Sequence, residues 1–228
     1  MQAKHWNVKS IIGLILLITL IGSIVYAAIG WAMAPESSTQ PGERCRSDYA
    51  LMLLQCCLGL VVMFLPTMLQ KKWTWPISDH MYILYFVFLY CAIYLGEVRN
   101  FYYVVPHWDT WLHTFSGGML GALGFIVVDR LNRLDRAAVQ LSPGFVCLFA
   151  LCFAVTVGVL WEIYEFSFDG LLGLNMQKFR LEDGTQLIGR AALQDTMKDL
   201  IVDVVGAATV VAWGYLHSKR NEKKAKSF

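Results

Sequence analysis

Six carboxylates and one imidazole stand in or against strongly apolar sequence: Glu162, Glu165, Asp169, Asp195, Asp199, Asp203 and His113. A charge at the centre of a bilayer costs about 2.5–3.5 kcal/mol on insertion scales, so such side chains face protein or water and have a task. Three tasks suit them: binding a divalent cation, moving protons, or pairing with bases. Their spacing narrows the geometry. Glu162, Glu165 and Asp169 fall at i, i+3 and i+7, on one helix face. Asp195, Asp199 and Asp203 follow at steps of four, on a slowly drifting face. Asp109 and His113 are i and i+4, with Ser116 and Gly117 continuing the stripe. The depths also agree: with a rise of about 1.5 Å per residue, His113 lies about 6 Å below Asp109, Glu162 about 10 Å below Asp169 and Asp203 about 12 Å below Asp195.

Hard oxygens with one imidazole suit Mg, Mn, Zn or Fe better than a soft metal. The expected metal ligands are His113, Glu162, Glu165 and Asp199. Asp109 is expected to hold the His113 ring, and Asp203, the deepest acid, to be pair-bonded or protonated. Proton transfer would then fall to Asp109, His113, Glu165 and Asp203. The loop 170–194 adds Lys178, Arg180 and Arg190, read as an anion clamp for a phosphate or a lipid headgroup. Against this stands a structural reading, in which Lys198, Arg99, Arg180 and Arg190 neutralise the acids and fix helix register. Three functions follow: a metal-dependent hydrolase or transferase acting on a lipid or lipid-linked substrate, a cation- or proton-binding transporter component, and a non-catalytic membrane scaffold. No inverted repeat is evident, and the acids stop halfway along their helices, which favours a site over a transport path.

The elements that must position these groups are membrane helices. The 228 residues are 57% hydrophobic and 16% charged, with mean hydropathy +0.49. A soluble domain is nearer about 45–50% apolar and about 25% charged. The net charge of +2 gives no reason to expect nucleic acid. The reading is an all-α polytopic membrane helix bundle, one domain over 1–228, with six spans. They run over about 11–33, 49–69, 78–96, 110–128, 144–168 and 196–217, each near the roughly 20 residues a spanning helix needs. A signal peptide cut after Ala34 is the rival for the first run. That run is too long for one, and Pro35 would follow the cut. Trp6, Trp31, Trp73, Trp75, Trp108, Trp111, Trp161 and Trp213 fall at or near the ends, as an aromatic belt does.

Lys and Arg set the expected orientation. Lys4, Lys9, Lys71, Lys72, Arg130, Arg133, Arg136 and the basic tail 218–228 all fall on one side of six spans. The positive-inside rule makes that side cytoplasmic, with both termini there and the acids in the outer half of a bacterial inner membrane. Small residues flank the polar stripes: Gly117, Gly118, Gly121 and Gly124, then Gly206, Ala207 and Ala208. They let helix backbones approach closely.

Three segments, WDTWLHTFSGG, WEIYE and LQDTMKDLIVDVVGA, resemble the YjdF-like family of bacterial inner-membrane proteins. Asp109 and His113, the pair Glu162 and Glu165, and Asp195 with Asp199 carry the likeness, over about 108 to the end of the sixth span. A weaker similarity, on Glu165, Arg190 and Asp199, is to VanZ-like proteins, with Asp203 where asparagine is expected. The resemblance implies a multi-pass inner-membrane fold and brings no reaction with it.

Overall fold

The computed structural model describes residues 7–36, 43–73, 77–132, 141–181 and 184–225. Lys4, Trp6, Trp75, Arg133, Arg136, Glu182, Asp183 and Lys226 lie outside them. The fold is all-α, a polytopic helix bundle. Among the described residues, six helical stretches are long and apolar enough to cross a membrane: Val8–Met33, Arg46–Lys72, Asp79–Val98, Trp108–Val128, Pro143–Leu172 and Gln194–His217. The chain parts into two compact units, the first mainly Met1–Trp108 and the second mainly Asp109–Gly170 with Gln186–Phe228.

The first unit holds α1 (Val8–Met33), α2 (Arg46–Val62), α3 (Leu65–Trp73), α4 (Asp79–Leu89), a π-helix (Tyr90–Val98) and α5 (Phe101–Val104). Asn7 starts α1 by accepting the backbone N–H of Ser10 at 2.9 Å, a standard N-cap. Leu16, Leu20, Met52, Cys56, Phe86, Leu89 and Ile93 form the unit's core. Between helices in lipid, close packing rather than removal of water drives this association.

The second span is broken where the sequence suggests one helix. Pro66 has no N–H and cannot bond the carbonyl four residues back, that of Val62. The hydroxyl of Tyr85 donates to that orphaned carbonyl at 2.8 Å. The third span also departs from a plain α-helix, widening into a π-helix whose last bond runs from Arg99 N–H to Tyr94 O at 2.8 Å.

The second unit is built on α6 (Trp108–Asn132), α7 (Pro143–Leu172) and α8 (Gln194–Ala225). Helix α7 runs four residues beyond the expected 168 and so carries Asp169 within it. Helix α8 continues through the basic tail to Ala225. The small residues fix how closely the three helices meet. A Cβ on Gly206 would overlap the Thr114 backbone, and one on Gly117 the Asp203 backbone, so α6 and α8 touch main chain to main chain. A Cβ on Gly124 would stand 2.7 Å from Ala150 Cα, which does the same for α6 and α7.

Candidate functional site

The three polar stripes lie within the second unit. On α7 the buried positions are Ala150, Ala154, Gly158, Glu162, Glu165 and Asp169, a single face that is small at one end and acidic at the other. On α8 the buried face begins with Asp199 and Asp203 and continues with Gly206 and Ala207. On α6 it carries His113 and Gly117. Close packing at the glycines therefore carries the acids inward with it.

His113 is the junction. Its Nδ1 lies 3.4 Å from Asp203 Oδ2, and its Nε2 lies 3.7 Å from Asp109 Oδ1. The Ser116 hydroxyl reaches both the His113 carbonyl, at 2.9 Å, and Asp203 Oδ1, at 3.4 Å. Asp109, His113 and Asp199 each present a potential ligand atom, and these atoms lie within 4.8 Å of one another. Asp109, expected to hold the His113 ring, stands beside Nε2 and also belongs to the group that could share an ion, while Asp203 faces Nδ1.

Glu162 and Glu165 are outside that group of three but face the same charges. Glu162 is within the electrostatic reach of His113 and Asp195, and Glu165 of Glu162, Asp109, His113 and Lys178. Glu162 is 5% exposed, and neither of its carboxylate oxygens has a hydrogen-bond partner of ordinary geometry, although Thr196 and Gln177 stand nearby. Asp199 is 2% exposed, and its Oδ1 is likewise unpartnered. Buried polar atoms without partners are rare in folded proteins because each keeps its desolvation penalty.

The segment Asn175–Phe179 packs with these helices. Asp169 accepts the backbone N–H of Met176 at 2.7 Å and that of Gln177 at 2.9 Å. The Gln177 side chain donates to the Thr196 hydroxyl at 2.7 Å. Lys178, in a left-handed backbone conformation, places its ammonium on Asp109 Oδ2 and 3.5 Å from Asp195 Oδ1. Burial disfavours its charge, but Asp109 and then Asp195 outweigh burial, and its pKa stands above that of an ordinary lysine. Arg180 donates to the carbonyls of Gly173 and Leu174, while Arg190 is exposed in the turn before α8.

Three contributors escaped sequence reasoning. Gly158 makes room for Asp203, since a Cβ there would stand 2.6 Å from its Oδ2. Its position four residues before Glu162 was the available signal. Gln177 and Thr196 form the second contact, one that no motif marks. The ion pair of Lys178 with Asp109 is the third, and the two residues are 69 positions apart.

Comparison with known proteins bears on the whole chain. The model of a family described as "Predicted membrane protein (DUF2238)" matches residues 14–220. The likeness to the YjdF-like family is therefore borne out, and it extends back to residue 14, across the three spans that precede the motifs. An "Uncharacterized protein" of Thermotoga maritima is 33% identical over 125 residues, covering 54% of this chain and 55% of that protein. The chain thus spans about half the length of the curated relative it matches. No solved structure matches.

Proposed function

We propose, from the premise that the chain belongs to the DUF2238 family of predicted membrane proteins, that α6, α7 and α8 hold a divalent cation and present it to a lipid or lipid-linked substrate. In this reading Asp109, His113 and Asp199 are the ligands, Glu162 and Glu165 border them, and Asp203 orients the His113 ring. The observation that carries it is the group of three ligand atoms within 4.8 Å, one residue of which, Asp199, keeps a buried oxygen without a partner. Six carboxylates (Asp109, Glu162, Glu165, Asp195, Asp199 and Asp203) gather around one ammonium and one imidazole. Taking that much like charge out of water is costly, and a cation offsets it.

The donor set of carboxylate oxygens and one imidazole suits Mg, Mn, Zn or Fe. A bound ion would polarise an ester or phosphoester oxygen and lower the pKa of a nearby water. The buried carboxylates supply the rest. Glu162, neither of whose oxygens has a hydrogen-bond partner of ordinary geometry, is placed to accept a proton, and Asp203 fixes which nitrogen of His113 faces the site. Arg190, exposed in the turn before α8, is a cation available to a headgroup phosphate. In the bacterial inner membrane, with both termini cytoplasmic, the site opens outward.

Metal analysis of the detergent-purified full chain tests this. About one ion per chain is expected in the wild type, with loss in Asp199→Asn. Absence of metal from the wild type, together with no thermal shift on adding Mg, Mn, Zn or Fe, overturns it. A second reading, a structural network, draws on the pairs Lys178–Asp109 and His113–Asp203. It expects Asp199→Asn to stabilise the ion-free protein, because an unpartnered buried charge is removed.

A further inference from the structure

We infer that Lys178 is a tethered counter-ion of this site, and that an incoming divalent cation displaces its ammonium from Asp109 towards Asp195 and loosens the backbone at Lys178. The inference rests on the cation reading and names how that site is opened and closed.

Two groups compete for one carboxylate. Asp109 belongs to the group of three that could share an ion, and its Oδ2 is already held by Lys178. An ammonium and a divalent ion on the same carboxylate repel each other strongly in a low-dielectric setting. Asp195 lies 3.5 Å from the same ammonium and is not among those three ligands, so it offers a place for Lys178 to retreat. The charge balance fits an exchange: the lysine partly neutralises the acids until an ion with twice its charge arrives.

The segment is tied on both sides of Lys178: the Phe179 carbonyl accepts the Leu187 N–H at 2.8 Å, and the Lys178 N–H itself donates to Asn175 O at 3.3 Å. Asp169 holds the backbone of Met176 and Gln177, and Thr196 holds the Gln177 side chain. None of these anchors uses Asp109, His113 or Asp199. Lys178 itself sits at φ 47°, a conformation that residues other than glycine seldom adopt without compensation. Its ion pairs supply that compensation. Once the pair with Asp109 breaks and the ammonium moves to Asp195, the backbone relaxes at this residue while the anchors at Met176 and Gln177 hold.

Calorimetric titration of the detergent-solubilised full chain with Mn2+ tests the exchange in wild type, Lys178→Gln and Lys178→Arg. Removing the competing charge should tighten Mn2+ binding about tenfold in Lys178→Gln, while Lys178→Arg, which keeps the charge, should bind near wild type. Mn2+ binding that is unchanged or weaker in Lys178→Gln overturns the exchange and leaves the cation site standing. No binding in any of the three proteins overturns the site and the exchange together. Should Lys178→Gln fail to fold, hydrogen exchange on the wild type decides. Mn2+ should speed amide exchange at Lys178, whose N–H bonds Asn175 O, while Met176 and Gln177 stay protected. Uniform slowing across Asn175–Phe179 on Mn2+ binding overturns the proposal.

Discussion

Gly158 and Asp203 stand so close that a Cβ built on the glycine would lie 2.6 Å from the Asp203 carboxylate oxygen Oδ2. That oxygen is the one facing His113 Nδ1 at 3.4 Å. The absent side chain on α7 therefore sets where an acid on α8 meets the histidine on α6. Gly158→Ala should keep the fold and push Asp203 off His113, because a terminal carboxylate can swing aside. The ring nitrogen shifts of His113 in 15N-labelled protein should change in the variant. Identical shifts in both proteins would mean that Asp203 does not depend on Gly158.

The α6–α8 contact yields a graded test. A Cβ on Gly206 meets the Thr114 carbonyl and backbone, which cannot move aside, whereas one on Gly121 comes to 3.3 Å from Ala207 O. Gly206→Ala should cost about 3 kcal/mol or more, or prevent folding. Gly121→Ala should be milder, and Gly121→Leu should cost about 1–3 kcal/mol. Thermal melting in detergent measures all three, and equal effects at Gly206 and Gly121 for alanine would refute the close contact.

Tyr85 and Pro66 should be coupled. If the Tyr85 hydroxyl satisfies the Val62 carbonyl that Pro66 leaves open, Tyr85→Phe should cost about 1 kcal/mol. In a Pro66→Ala background residue 66 regains an N–H for that carbonyl, and Tyr85→Phe should then cost less. A double-mutant cycle on melting temperature reads the difference. Simple additivity would show that the hydroxyl serves some other purpose.

The orientation is open to direct test. Reporter fusions at Lys224 and at Gly184 should report the cytoplasm and the exterior respectively, given the Lys and Arg distribution. A cytoplasmic signal at Gly184 would place the acidic site facing inward.

The amino-acid sequence by itself determined the six spans and the three polar stripes. Both are local properties. Hydrophobic length sets a span, and the repeat of 3.6 residues sets a face, so Glu162, Glu165 and Asp169 or Asp199 and Asp203 could be placed without knowing any neighbour. Even the break at Pro66 was available in principle, since a missing N–H is a covalent fact. What only the tertiary structure decided was which stripe meets which. Asp203 faces Nδ1 of His113, opposite Asp109 at Nε2, because Gly158, Gly117 and Gly206 bring the helices near enough for it. Lys178 reaches Asp109 because Asp169 ties the backbone of Met176 and Gln177 back against the helix that precedes them. Such pairings join residues far apart in the chain, and no spacing encodes them. They follow from the depth to which small residues let helices approach, which is a property of two surfaces together.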